Sequence, residues 1–120
     1  MYSNEVIEHF EHPRNVGELP DADVSVEVSN PACGDIMRLS LKLEGGRLAA
    51  VRYRTRGCVT SIACGSVLTE MLEGRTVEEA RALRREEIVE ALGGLSNETV
   101  HGSYLAIDAL RAAFSALPRA

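Results

Sequence analysis

Four side chains of this 120-residue chain have the chemistry to share one metal centre: Cys33, Asp35, Cys58 and His101. Together they offer two thiolates, one carboxylate and one imidazole. That is the ligand set of a tetrahedral zinc site or of an iron–sulfur cluster with mixed ligands. The spacing of the four residues matches no compact zinc-finger motif, so a shared site depends on the fold to bring them together.

Each candidate ligand stands near a glycine at the boundary of a predicted element. Cys33 and Asp35 lie two positions apart in a predicted loop, so their side chains can point the same way. Cys58 precedes a predicted helix, where the positive end of the helix dipole stabilises a negative ligand. His101 begins the last predicted helix. Taken singly, each residue also has an ordinary interpretation. Cys33 could be a thiol without a function, and Asp35 could stabilise a turn. Cys58 could be a small buried residue, and His101 could cap its helix.

Composition and charge restrict the class of protein. The chain carries 18 acidic and 13 basic residues, and this net charge of −5 argues against a nucleic-acid binder. No apolar run is long enough to span a membrane, and no charged-then-apolar leader precedes the first predicted helix. Three cysteines, an odd number, do not suit a secreted disulfide framework. We therefore expect a cytoplasmic protein with reduced cysteines, forming a single domain over residues 1–120.

Alternating apolar and polar residues predict three half-buried strands, within residues 24–28, 39–43 and 51–55. Gly45-Gly46 supplies the positive φ angles of a tight hairpin turn between the second strand and the third. The face of the third strand opposite its apolar residues carries three arginines: Arg52, Arg54 and Arg56. We expect an antiparallel sheet with one face exposed to solvent.

Helical signals surround these strands. Ser3 is a candidate N-cap for a short first helix, and apolar spacing predicts a buried helix from Thr60 that stops at Gly74. Thr76 and Glu79 form a capping box, and a further helical stretch follows over residues 86–92.

The last helix runs from about His101, and His9 and His12 are interpreted as surface residues. Because the strands precede most of the helices, we expect an α+β fold: a three-stranded antiparallel sheet with helices packed on one face.

Several motifs resemble the iron–sulfur cluster assembly scaffold family, the IscU type and the N-terminal domain of NifU. The resemblance runs nearly end to end, and it includes Pro13-Arg14-Asn15-Val16-Gly17, Pro31-Ala32-Cys33-Gly34-Asp35, Gly57-Cys58, Ser61-Ile62-Ala63 and Val100-His101. Its specific signature is the Pro-Ala-Cys-Gly-Asp segment with Pro-Arg-Asn upstream. It implies the family's fold. It also implies that Cys33, Asp35, Cys58 and His101 occupy the family's ligand positions.

The resemblance further implies a function. Members of this family accept sulfur from a cysteine desulfurase, assemble a [2Fe–2S] cluster from iron and sulfide, and pass it to apo iron–sulfur acceptor proteins. They often hold zinc when isolated. The expected partners are therefore a desulfurase and acceptor proteins, with no nucleic acid and no membrane. Arg52, Arg54 and Arg56 either contribute to docking the desulfurase or form a solvated strand face.

Two departures from the family pattern concern sulfur. The family carries a third cysteine directly after the histidine, where this chain has Gly102. The chain instead carries Cys64, where relatives show a serine or another small residue. Cys64 is either a buried small residue or an extra ligand or sulfur acceptor that replaces the missing thiol.

A third departure concerns partners. Residues 96–100 lack the Leu-Pro-Pro-Val-Lys segment of relatives that use a dedicated Hsp70-type chaperone, which makes that partner doubtful. The main interpretation is a binding scaffold and not an enzyme. The alternatives are a zinc-dependent sulfur acceptor, like the SufU sulfurtransferases, and a purely structural zinc module.

Overall fold

A three-stranded sheet and five helices make up the described part of the chain. The computed structural model describes residues 2–31, 34–97 and 99–117. In chain order the elements are α1 (Asn4–Glu11), β1 (Val24–Ser29), β2 (Ile36–Glu44), β3 (Arg47–Arg56), α2 (Val59–Leu72), α3 (Val77–Arg81), α4 (Arg85–Ala91) and α5 (His101–Ala116).

The sheet is antiparallel in the order β1-β2-β3, with Val26 opposite Leu39 and Leu41 opposite Val51. Its inner face is largely apolar, and its buried side chains include Met37, Leu39, Leu41, Val51 and Tyr53. The outer face carries the predicted arginines, of which Arg54 and Arg56 are exposed. The alternation in the sequence therefore identified all three strands, and the hairpin turn lies at Gly45-Gly46, where both φ angles are positive.

All the larger helices lie on the inner face of the sheet. Helix α2 packs on β3, α5 packs on β1 and β2, and α1 packs on α2. The two long helices contribute much of the core, including Leu68, Leu72, Leu105 and Leu110. The prediction of an α+β fold with helices on one face is confirmed. Within the described residues, no helix combines the length and apolarity needed to cross a membrane.

The predicted helix caps are present. Ser3 Oγ accepts the Val6 N–H at 3.0 Å. Thr76 Oγ1 accepts the Glu79 N–H at 3.1 Å, and Glu79 Oε1 accepts the Thr76 N–H at 2.9 Å, which is the capping box. The helical region after this box is divided into two short helices, α3 and α4.

The segment after α1 joins three elements. Gly17 N–H donates to the Tyr53 carbonyl at 2.9 Å, and Tyr53 N–H donates to the Asn15 carbonyl at 3.0 Å, so this segment pairs with β3. Asn15 adopts a φ of 58°, and its side-chain amide lies 3.3 Å from Thr69 Oγ1 of α2. The Pro-Arg-Asn motif, which carries much of the family resemblance, thus has a structural role.

His9 is buried, so its interpretation as a surface residue is wrong. Helix α1 turns this side chain toward α2, where His9 Nδ1 lies 2.7 Å from Ser66 Oγ. Ser66 Oγ also accepts the Arg14 backbone N–H at 2.9 Å, which leaves the hydroxyl proton of Ser66 for Nδ1. Burial lowers the pKa of His9, and the nearby Arg14 guanidinium lowers it further.

This environment predicts acid sensitivity. Because the pKa of His9 in the folded chain lies below its ordinary value of 6.5, the unfolded chain takes up the proton first as pH falls. We expect the free energy of unfolding to decrease as pH falls below 6.5. Urea titrations across this range should show a shallower pH dependence for His9→Gln. The exposed His12→Gln variant is the control and should behave like the parent; equal slopes in both variants would exclude His9 as the source.

Candidate metal centre

Asp35, Cys58 and His101 meet at one place in the structure. One ligand atom from each residue can be chosen so that all three lie within 4.8 Å of one another. Cys58 Sγ lies 3.7 Å from His101 Nε2. In a tetrahedral site with bonds of about 2.0–2.3 Å, ligand atoms lie roughly 3.3–3.8 Å apart. The observed grouping is therefore close to the geometry that a metal ion requires.

The loop before β2 carries Asp35. Gly34 N–H donates to the Asn30 carbonyl at 2.7 Å, and Asn30 N–H donates to the Asp35 carbonyl at 2.8 Å, which closes the loop on itself. Gly34 adopts a φ of 78°, a conformation that favours glycine. The predicted ligand Cys33 belongs to this loop but lies outside the described residues, so its role stays a prediction.

Ser61 holds the Asp35 carboxylate against the start of α2. Asp35 is buried, and its Oδ2 accepts the Ser61 hydroxyl at 2.6 Å and the Cys58 N–H at 3.4 Å. Ser61 Oγ also lies 3.4 Å from Cys58 Sγ. Sequence reasoning missed this positioning role. The sequence signal for it is that Ser61 lies three residues after the N-cap Cys58, a spacing that brings both side chains to the start of the helix.

Cys58 is the N-cap of α2, and no side-chain hydrogen bond caps the helix there. Its sulfur is half-buried, beside the positive end of the helix dipole, which stabilises negative charge. The preceding residue, Gly57, determines how closely the Asp35 carboxylate can approach. A Cβ atom on Gly57 would lie 2.6 Å from Asp35 Cγ, so the carboxylate can approach Cys58 only because residue 57 is a glycine.

His101 is the first residue of α5, and contacts from α4 fix that end of the helix. Ser103 Oγ donates to the Val100 carbonyl at 2.6 Å and accepts from Arg85 Nη1 at 3.2 Å. The Arg85 guanidinium also lies 4.3 Å from the centre of the Tyr104 ring. These contacts hold the first turn of α5, and so the backbone of His101, beside α2.

Gly102 stands where the family resemblance implies a third cysteine, and the two helices come close together there. It is buried, and a Cβ atom on it would lie 3.1 Å from the Ser61 nitrogen and from the Thr60 carbonyl carbon. The missing thiol is therefore replaced by direct contact between the starts of α2 and α5. This contact brings His101 within reach of Cys58.

Cys64 lies in the hydrophobic core and has no exposed surface. Burial raises the pKa of its thiol to about 12, and the neighbouring charge of Cys58 contributes to the shift. A neutral, enclosed thiol is a poor metal ligand and a poor nucleophile. The structure thus favours the hypothesis that Cys64 is a buried small residue over the hypothesis that it replaces the missing thiol.

Comparison with known proteins identifies the family of this chain and agrees with its fold. The family model of the NifU-like N-terminal domain matches residues 1–119. The iron–sulfur cluster assembly scaffold protein IscU 1 of Archaeoglobus fulgidus is 47% identical over 113 residues, which span 94% of this chain and 74% of the relative. The scaffold protein IscU of Azotobacter vinelandii is 45% identical over 93% of this chain and 90% of its own length.

A solved structure is similar as well. FiSufU, a protein of the SUF system from the thermophile Fervidobacterium islandicum AW-1, superposes with a TM-score of 0.65 at 25% identity. The match covers 94% of this chain and 82% of that one. The chain therefore belongs to the family of the NifU-like N-terminal domain, together with the IscU-type iron–sulfur cluster assembly scaffold proteins.

Proposed function

We propose that this chain is a scaffold on which a [2Fe–2S] cluster is assembled and from which the cluster is passed on as cargo. The observation that carries the proposal is the convergence of Asp35, Cys58 and His101 in a member of a scaffold family. Cys33, two residues from Asp35, is the proposed fourth ligand. The partners that complete this function are a cysteine desulfurase and apo acceptor proteins.

The ligand set suits a cluster that must leave. A [2Fe–2S] core of charge 2+ held by two thiolates and one carboxylate carries a net charge of −1. Carboxylate oxygen is a harder ligand than thiolate and binds a cluster iron less persistently. The Ser61 hydroxyl also donates to Asp35 Oδ2 at 2.6 Å, so the carboxylate keeps a hydrogen-bond partner when it releases the iron. We infer that Asp35 is the ligand that yields first during transfer.

Anaerobic reconstitution tests the proposal. The chain is incubated with ferrous iron, cysteine, a cysteine desulfurase and a thiol reductant that reduces the persulfide sulfur to sulfide, and is then mixed with an apo-ferredoxin. We expect the absorption of a [2Fe–2S] cluster to appear on the chain and then to move to the ferredoxin. A chain that binds iron but never shows cluster absorption, or a cluster that cannot be transferred, would contradict a scaffold role.

A second candidate function is a zinc-dependent sulfur acceptor. The half-buried Cys58 sulfur beside His101 favours it, because a thiolate with a neighbouring imidazole can take sulfur from a persulfide. The burial of Cys64 leaves Cys33 and Cys58 as the candidate acceptors. Stimulation of desulfurase turnover by the zinc-loaded chain, with no cluster formed, would favour this function over the scaffold.

Gly57→Ala is expected to weaken metal binding without removing a ligand. The added methyl would overlap the Asp35 carboxylate, so that Asp35 must move away from Cys58. We expect a loss of about tenfold in zinc affinity, as for other disturbed supporting contacts, and of about 2 kcal/mol in the free energy of unfolding. Competition with a zinc chelator measures the zinc affinity, and urea unfolding measures the stability.

The control for this variant is Val67→Ala, a truncation in the buried part of α2 away from the ligands. It lowers stability by a comparable amount and should leave zinc affinity unchanged. If Gly57→Ala bound zinc as tightly as Val67→Ala, the carboxylate of Asp35 would not be a ligand.

A further inference from the structure

A groove rich in arginine runs along the outside of α5, between that helix and the pair α3–α4. It consists of two cavities of about 430 and 310 Å³ that share Arg111. We call it the arginine groove and define it by six residues: Arg81, Arg84, Arg85, Tyr104, Arg111 and Phe114. It is separate from the candidate metal centre, although Tyr104 lies only one helical turn from His101.

The groove concentrates positive charge in an acidic protein. The chain has a net charge of −5, yet the four arginines of the groove face one lining carboxylate, Glu86, which pairs with Arg85 at 3.5 Å. Within the described residues, no carboxylate oxygen lies within 4.0 Å of the guanidinium groups of the other three groove arginines. The arginines of the sheet face differ, because Arg38 and Arg54 both pair with Glu18, at 3.2 and 3.9 Å.

Two of the groove arginines are held in place by aromatic rings. The guanidinium carbon of Arg81 lies 4.8 Å from the centre of the Phe114 ring, and that of Arg85 lies 4.3 Å from the Tyr104 ring. Such stacking orders a long side chain before any ligand binds, which reduces the entropy lost on binding. A stacked guanidinium still presents its N–H groups at its edge, where a carboxylate can accept two of them.

We propose that the arginine groove binds an acidic segment of a partner protein. The unpaired arginines provide charge complementarity to carboxylates, and their preordered side chains provide the geometry. Nucleic acid fits less well, because guanidinium groups already cover one face of each ring on which bases would stack, and the net charge of −5 repels a phosphate backbone. A segment bound here would place the partner within one helical turn of His101. This inference concerns a surface outside the metal centre and does not depend on the proposed function.

Fluorescence anisotropy with a labelled peptide of alternating Glu and Ala tests the groove. We expect the peptide to bind, with an affinity that decreases as salt is added. The double variant Arg81→Gln/Arg111→Gln should weaken binding about tenfold, because it removes two exposed charge pairs. The double variant Arg38→Gln/Arg54→Gln makes the same change in net charge on the sheet face and should weaken binding less than twofold.

Several outcomes would overturn the inference. These are no peptide binding, equal weakening by the two double variants, or binding of a labelled oligothymidine at the groove in place of the peptide. If the groove variant unfolds at lower temperature than its control, Arg84→Gln replaces it, since this exposed side chain makes no ion pair with any described residue. Arg84→Gln should weaken peptide binding about threefold, and an unchanged affinity would also contradict the inference.

Discussion

Replacing Cys58 by serine should reduce the zinc affinity of this chain about a hundredfold. A four-ligand zinc site contributes roughly 10–16 kcal/mol, so one ligand accounts for about 3 kcal/mol, or a factor of about 100. The serine hydroxyl keeps the size of the side chain but is a much poorer ligand than a thiolate. Cys58 is also the residue whose neighbours the structure defines most fully, with Asp35, Ser61 and His101 around it. Competition with a zinc chelator measures the change.

Cys64→Ala is the matched control for this prediction. It also removes one thiol, but from a fully buried position in the core. We expect it to lower stability by about 1 kcal/mol and to leave zinc affinity and cluster assembly intact. If Cys58→Ser kept the parent's affinity while Cys64→Ala lost it, the ligand assignment would be reversed, and Cys64 would be the replacement for the thiol absent at Gly102.

The largest expected loss of stability is for Gly65→Ala. A Cβ atom on Gly65 would lie 2.3 Å from Tyr53 Cε2 and 2.4 Å from Cδ2, far inside van der Waals contact. The Tyr53 ring cannot simply move, since it is 1% exposed and its hydroxyl donates to the Ile62 carbonyl at 2.8 Å. We expect a loss of about 3 kcal/mol in the free energy of unfolding, even after the better helix propensity of alanine. Urea unfolding measures it.

A double-mutant cycle identifies the contact responsible. In a Tyr53→Leu background the ring is gone, and Gly65→Ala should then cost less than about 1 kcal/mol. If Gly65→Ala lowered the free energy of unfolding by the same amount in the Tyr53→Leu background as in the parent, the Tyr53 ring would not be the obstacle. Unchanged stability of Gly65→Ala itself would show that α2 and β3 are not packed as described.

Much of the fold follows from local patterns that are strong in this sequence. The alternation in the three strands, the Gly45-Gly46 turn, and the capping box at Thr76 each act over a few residues, and each lies where the sequence predicted it. The environment of His9 could not be predicted in the same way. A histidine on a short, charged helix has the pattern of a surface residue, and its burial depends on Ser66, which lies 57 positions away.

The candidate site shows the same division between what is local and what is distant. Residue chemistry predicted a mixed sulfur, nitrogen and oxygen metal site at the four positions, and the family resemblance implied that this site assembles a cluster. The supporting contacts are long-range, because Ser61 reaches Asp35 across 26 positions and Arg85 reaches Ser103 across 18. The spacing of Ser61 from Cys58 indicates only that these two side chains share the start of α2, and not that Ser61 holds Asp35. The ligand role of Cys33, outside the described residues, stays a prediction.

Close approach to two glycines brings the candidate ligands together. Gly57 admits the Asp35 carboxylate to the start of α2, and Gly102 admits α5, with His101, to the same place. The sequence shows glycines beside the candidate ligands, but only the structure shows which atoms a side chain would displace. The glycine at residue 102 thus coincides with close packing of α2 and α5 beside the candidate ligands.

Zinc-edge X-ray absorption of the zinc-loaded chain tests the central claim most directly, because it counts ligands by element. The proposed set of Cys33, Asp35, Cys58 and His101 predicts two sulfur neighbours at about 2.3 Å and two nitrogen or oxygen neighbours at about 2.0–2.2 Å. Cys58→Ser should leave one sulfur. A spectrum with no sulfur, or with three, would contradict the assignment, the first by excluding both thiolates and the second by adding Cys64.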